Sequence, residues 1–222
     1  MTTQPKVALF VPLTAKSSQS QATQEFLLKG YSIVEQTEPL TLQWFALKET
    51  STTSTDSGKF VIFDTAANEE GRQAHLNGEV AAALLKNKDT LLVEGQEGLN
   101  INQVDILASK VKKPASGGES LTKGLSVGLK VIVKAKPAQV ENVKDFLTKA
   151  LSVVEAEEFT PVWYAIQFPN TNQFAIVDFF ENEEGRQQHL SGNVAKALFA
   201  AVDELLEGQP EVAKVDVLAA KL

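Results

Sequence analysis

The sequence predicts an α+β protein: two copies of one βαββαβ module in a single chain, packed sheet to sheet. A near-exact internal repeat is the first support for this. Residues 68–78 return at 182–192 with two of eleven positions changed, Ala74 to Gln188 and Asn77 to Ser191. Across 60–85 and 174–199, 16 of 26 residues are identical without a gap. The second support is the same succession of period-2 and period-3.6 apolar patterns in each half. A third observation concerns rare residues. The chain holds two Arg, two His and two Trp, and each type divides one to a half: Arg72 with Arg186, His75 with His189, Trp44 with Trp163.

Taken in order, Val7, Leu9, Val11, Leu13 and Ala15 alternate along a first strand, as do Val127, Leu129, Val131, Val133 and Ala135 in the second copy. Pro12 lacks a ladder donor, which predicts a bulge or an early strand end there. A helix follows. Val140, Val143, Leu147, Ala150, Leu151 and Val154 make one apolar stripe, and Phe26, Leu27, Tyr31 and Val34 do the same work in the first copy, with Gly30 a weak spot. Past Pro39 and Pro161 come the strands carrying the Trp. A polar loop, long in the first half and tight at Pro169-Asn170-Thr171-Asn172 in the second, leads to a third strand, 60–64 or 174–178. Asn68 and Asn182 are then good N-caps for a short helix with two Glu in its first turn, which Gly78 and Gly192 are expected to stop. One more helix runs to 91–92 or 205–206, and a last strand, 104–108 or 215–219, closes each module.

That order is the ferredoxin-like arrangement, one antiparallel sheet with helices on one face. Phe10 and Ile132 point to the other face, and the sister module is the expected cover. The modules are placed at 1–111 and 127–222, joined by a polar, Gly/Ser-rich linker at 112–126. The expected whole is an intramolecular pseudo-dimer, on which a further homodimer could build.

Composition narrows the partners. Hydrophobic residues are 43% and charged residues 22%, ordinary for a globular protein, and the formal charge is −7 with no basic patch. Nucleic acid and anionic membrane surfaces are therefore disfavoured. No apolar run reaches the ~18 residues of a membrane span, and residues 1–6 lack the apolar core expected of a signal peptide. Cysteine is absent, which removes thiolate chemistry and Cys-metal sites. A cytoplasmic protein is expected.

The candidate chemistry lies in the repeat. Arg72 and His75 stand three apart on one helix and share a face, as do Arg186 and His189. Asp64 or Asp178 ends the preceding strand, and Trp44-Phe45 or Trp163-Tyr164 lies on its neighbour. Together they suggest a pocket between sheet and helices that would suit a flat, weakly acidic ring compound. Plainer readings stand beside this one: a structural His, an Arg paired with Glu69 or Glu183 one turn back, a core Trp, and Asp residues that merely end strands. Three-histidine zinc sites, phosphate loops and nucleophile elbows are not present as motifs.

With this order, and with Asp64 through His75 and Asp178 through His189 as its most telling residues, the chain resembles the antibiotic-biosynthesis-monooxygenase and quinol-monooxygenase family of dimeric α+β barrels, here in two tandem copies. The resemblance implies a cofactor-independent monooxygenase, working without flavin, haem or metal. Its substrate would be a small quinol-like or phenolic aromatic compound that reduces dioxygen once deprotonated. By the same resemblance His75 and His189 handle the proton, Arg72 and Arg186 stabilise an oxyanion, and Trp44, Trp163 and Tyr164 form ring-stacking walls. The chain departs from the family at Asp64 and Asp178, where many members carry Glu, at Ala66 and Phe180, where many carry Trp, and at Val80 and Val194, where a second His is common. No Asn lies on either first strand, which disfavours haem degradation. Thr65-Ala66 against Phe179-Phe180 predicts a narrower, more aromatic second site. The alternative is a non-catalytic module of the same fold that binds a small hydrophobic ligand or serves as a scaffold.

Overall fold

The computed structural model describes residues 4–51, 58–114 and 118–222. Most of the first hairpin loop and three linker residues lie outside that set. The chain divides into two compact units. Unit 1 comprises Met1–Gln103, Glu119–Lys123 and Asp216–Leu222; unit 2 comprises Val104–Gly118 and Gly124–Val215.

Unit 1 is built from β1 (Val7–Thr14), α1 (Ser20–Thr37), β2 (Thr41–Glu49), β3 (Lys59–Ala66), α2 (Glu69–Leu76) and α3 (Glu79–Leu91). Antiparallel β3 lies between β1 and β2, with Phe10 opposite Phe63 and Trp44 opposite Asp64. The alternation predicted for β1 holds: Leu9, Val11 and Leu13 pack with Leu27, Tyr31 and Val34 of α1 and with Trp44 and Ile62. Pro12 causes neither a bulge nor a stop, because the β1–β3 register runs unbroken through Pro12 opposite Val61. In a strand the N–H and C=O of one residue point the same way. The Pro12 carbonyl accepts from Asn100 N at 3.3 Å, so the missing donor faces away from β3 and costs that ladder nothing.

Unit 2 repeats the order with β5 (Val127–Lys134), α4 (Val140–Glu155), β6 (Val162–Gln167), β7 (Gln173–Phe180), α5 (Glu183–Leu190), α6 (Asn193–Ala200) and the short α7 (Val202–Leu205). The single last helix read from the sequence is thus two pieces joined at Ala201. Its core sets Leu129 and Val131 of β5 and Ile176 of β7 against Leu147 and Val154 of α4 and Leu198 of α6. The β6–β7 hairpin turns tightly, with Asn170 at φ 60°, a left-handed position that Asn tolerates.

The last strand of each sequence half is longer than its apolar pattern: β4 is Asn102–Val111 and β8 is Glu211–Lys221. Each changes unit along its length. From Val104 on, β4 belongs to unit 2 and pairs antiparallel with β6, Val111 opposite Val162. From Asp216 on, β8 belongs to unit 1, where it lies beside β2. Among the described residues, no helix is long and apolar enough to cross a membrane.

Gly30 sits within α1, where a Cβ would lie 3.5 Å from Val80 Cγ1 and 3.9 Å from the Trp44 ring, ordinary contact distances. Gly30→Ala is therefore expected to raise stability by about 0.5–1 kcal/mol through the helix backbone. Urea unfolding reads this directly, and a lower midpoint would show that the space at Gly30 is needed.

Candidate functional site

The predicted caps hold and fix the two histidines. Asn68 Oδ1 accepts from Gly71 N at 3.0 Å, and Asn182 Oδ1 from Gly185 N at 2.9 Å, so α2 and α5 start at matching points. Three residues beyond Arg72 and Arg186, the imidazoles of His75 and His189 turn inward, with side chains 7% and 6% exposed.

Each imidazole is held between two carboxylates. His75 Nδ1 donates to Glu38 Oε2, and its Nε2 lies 3.4 Å from Asp64 Oδ2. His189 Nδ1 donates to Glu157 Oε2 at 2.6 Å, and its Nε2 lies 3.3 Å from Asp178 Oδ2. A threonine supports each glutamate: Thr41 Oγ1 donates to Glu38 Oε2 at 3.2 Å, Thr160 Oγ1 to Glu157 Oε2 at 2.8 Å. The bulge in β2 explains Thr41. Three residues before Trp44, it would face away from Trp44 in a regular strand. The register shift between Thr41 and Gln43 sets it opposite Ala66, on the face of Trp44 and Asp64.

The charges follow from this geometry. Burial alone would lower both imidazoles, but the carboxylates outweigh it. His75 is raised above its ordinary value, chiefly by Asp64 and then Glu38. His189 is lifted to about 10 by Asp178 and Glu157. The imidazolium form is favoured at both, and His189 is charged at neutral pH. Burial raises the Asp64 carboxyl to about 6 against the pull of His75, and it raises Asp178 likewise.

Glu38 and Glu157, which complete the arrays, were not foreseen from the sequence. A signal was there: Glu38, Thr41 and Trp44 recur as Glu157, Thr160 and Trp163 at a constant offset, an E-x-x-T-x-x-W pattern in both halves. Two lysines were missed as well. Lys221 Nζ donates to the carbonyls of Glu38 at 2.8 Å and Val34 at 3.3 Å. Lys110 Nζ donates to those of Glu157 at 2.6 Å and Val154 at 2.7 Å. Each cation sits at the carboxyl end of a long helix, where the dipole favours it, and anchors the backbone of the array's glutamate.

Gly78 and Gly192 do not end α2 and α5 in a left-handed turn. Both are extended and precede the next helix as its N-cap, with φ −78°. Their small size makes room for the glutamates, since a Cβ would stand 2.6 Å from Glu38 Oε1 and 3.1 Å from Glu157 Oε1.

The other predicted residues separate. Trp44 and Trp163 share the helix-side face with Asp64 and Asp178, but both are wholly buried in the apolar cores. Strand alternation sends Phe45 and Tyr164 to the opposite face of their sheets, away from the imidazoles. Phe45 stacks there on Phe63 with ring centres 6.2 Å apart, and burial holds the Tyr164 phenol well above its usual range. Arg72 pairs with Glu69 and Arg186 with Glu183. Arg186 also donates to the carbonyls of Gly128 at 3.2 Å and Val215 at 3.3 Å, tying α5 to the sheet. Phe180 does reach its predicted neighbourhood, its ring centred 5.4 Å from that of His189. Among the described residues, no group of three or more His, Asp and Glu is placed to hold a metal ion.

Space at the two arrays is unequal. Glu38, Thr41 and His75 line a surface cleft of about 340 Å³ together with Leu40, Ala74 and Gly78. On the Asp178 side of His189 there is a void of about 30 Å³, walled by Leu129, Val131, Ile176 and Leu198 and not reaching Glu157. A dry cavity of about 150 Å³ takes benzene, so the void is too small for a ring while the cleft is ample.

No family model matches the chain, and no curated protein matches it by sequence. Solved structures do. One from Fusobacterium nucleatum, named "putative monooxygenase", superposes with TM-score 0.82 at 13% identity, covering 99% of this chain and 95% of that one. Another of that name from Lactobacillus acidophilus gives 0.76 at 11% identity, covering 98% and 96%. An uncharacterised ferredoxin-fold protein from Listeria monocytogenes, described as related to antibiotic biosynthesis monooxygenases, gives 0.55 at 10% identity, covering 97% and 96%. With two βαββαβ repeats in one chain and these structures matched over nearly its whole length, the protein has the α+β, ferredoxin-like fold of the antibiotic-biosynthesis-monooxygenase-like proteins.

Proposed function

We propose that this chain is a cofactor-independent monooxygenase acting on a small quinol-like or phenolic compound. The observation that carries the reading is the Glu38–His75–Asp64 array, which runs from the cleft to a buried carboxylate. A quinol anion gives electrons to dioxygen far more readily than the neutral quinol, so the protein's task is to take a hydroxyl proton. In the form with an imidazolium at His75 and carboxylates on either side, the array carries one net negative charge and has room for one proton. Glu38 takes the hydroxyl proton on its free Oε1, and His75 gives its Nε2 proton to Asp64, which holds it at a pKa of about 6, close to the pH at which general bases work best. The neutral imidazole left behind still donates from Nδ1 to Glu38. For a hydroquinone the balance is quinol plus dioxygen giving hydroxyquinone plus water. One oxygen atom enters the ring, and the other is reduced to water by electrons from the substrate.

This assigns the histidines a relay role rather than that of a lone base, since a neutral imidazole is scarce when both its nitrogens face carboxylates. The arginines have no part in the chemistry: their guanidiniums are engaged with Glu69 and Glu183. One observation favours the second reading, a non-catalytic ligand-binding module. An imidazolium clamped between carboxylates also makes a sound structural tie, and it occurs in both units.

Oxygen uptake with hydroquinone in metal-free buffer separates the two. The wild type is expected to consume oxygen, and Glu38→Gln, which keeps a hydrogen bond to His75, to lose roughly 100-fold in rate. Equal uptake by the folded variant would remove the array from the chemistry. Saturable binding without uptake would establish the second reading.

A further inference from the structure

The two arrays are alike in their charged groups and unlike in what surrounds them. We infer that only the first, at the Glu38–His75 cleft of unit 1, receives an organic ring, and that its ligand is a neutral or cationic aromatic compound bearing a hydroxyl donor. The inference rests on the proposed reading for its substrate class, but its geometry stands alone.

Three observations point to a ligand at this cleft. Glu38 has a side chain only 9% exposed, and its Oε1 finds no hydrogen-bond partner among the described residues. Such an acceptor, out of water and unpaired, is costly unless a donor reaches it. Gly78 is where a side chain would collide with that oxygen. The rest of the lining supplies apolar walls, Pro39, the half-exposed Leu40 and Ala74, with Glu79 completing it. Lys and Arg are absent from the lining, and its one cationic group, His75, is already engaged by Glu38 and Asp64, so a ligand carboxylate, sulfonate or phosphate would meet a net negative charge.

Two substitutions within the repeat add bulk near the second array. Ala74 corresponds to Gln188, one of only two changes in the eleven-residue stretch. Ala66 corresponds to Phe180, whose ring lies against His189. The groove beside Gln188 is lined by Phe159, Asn182 and Glu184 and does not include His189 or Glu157. The duplicated machinery therefore keeps its charges in both units, and a cleft reaches the glutamate of the first.

Anaerobic NMR titration tests this without turnover. The imidazole carbon-bound protons of His75 and His189 are followed while hydroquinone, 4-aminophenol or 4-hydroxybenzoate is added to the full chain. Hydroquinone and 4-aminophenol are expected to shift His75 saturably and leave His189 in place, and 4-hydroxybenzoate to shift neither. Ala74→Gln, which gives the first cleft the residue found in the second, is expected to weaken binding at least roughly tenfold, about 1.4 kcal/mol. An unmoved His189 spectrum and an unchanged unfolding midpoint will show that this variant is folded.

A saturable response at His189, equal responses at both histidines, tight binding of 4-hydroxybenzoate or undiminished binding by Ala74→Gln would each overturn the assignment. Oxygen uptake on the same samples keeps the two claims apart. Binding lost in Ala74→Gln but no uptake by the wild type sinks the monooxygenase and leaves the site. Uptake that survives Ala74→Gln sinks the site and leaves the monooxygenase.

Discussion

His189→Ala is expected to lower the stability of unit 2 by about 3–5 kcal/mol, the usual cost of removing one member of a buried ion pair. The change leaves Asp178 and Glu157 facing each other inside the protein with no cation between them, at 0% and 8% exposure. Urea unfolding followed by Trp163 fluorescence in a Trp44→Phe background reads the affected unit. The pH dependence gives a second signature. Folding raises the His189 pKa from an ordinary value near 6.5 to about 10. The folded state thus holds a proton that the unfolded chain gives up between those values. Its stabilisation is fully present below about pH 6.5 and is lost as pH rises through about 10. The variant should lack this decline and recover part of its deficit in acid, where the stranded carboxylates protonate. A loss below about 1 kcal/mol, or an unchanged alkaline slope, would show that the imidazole is not the tie described.

Trp163→Ala should cost a similar amount, about 3–5 kcal/mol, from the cavity it leaves. Trp163→Phe should cost far less, because the indole Nε1 makes no hydrogen bond among the described residues and only volume is lost. Trp44 should behave in the same way. A ring-stacking wall would respond differently, with binding impaired and the unfolding midpoint held. Both measurements belong on the same samples, and near-native stability of the alanine variant would return the indole to the ligand site.

Much of the fold was legible because local signals agreed. The alternation of β1 and β5, the stripe of α4 and the Asn68 and Asn182 caps all pointed to one order of elements. The site was half legible. Asp64 and His75 could be paired because a strand end and a short helix lie eleven residues apart. Glu38 and Thr41 follow the end of α1, where neither period holds, and only the bulge at Thr41–Gln43 brings Thr41 to the right face. Grouping Phe45 and Tyr164 with the tryptophans ignored the two-residue alternation that was itself readable. Lys110 and Lys221 could not be placed from local pattern, because nothing in an apolar strand states which unit it will join.

That last feature bears on synthesis. Residues 216–222 are made more than a hundred residues after Gln103, yet they take their place in the unit formed by the first hundred residues, and Lys221 is the group that fastens Glu38 there. Domains made early in translation generally fold as they emerge. Here the leading unit must wait with an open edge until residues 216–222 have been made, so a ribosome stalled just short of them would release a protein flawed at its beginning.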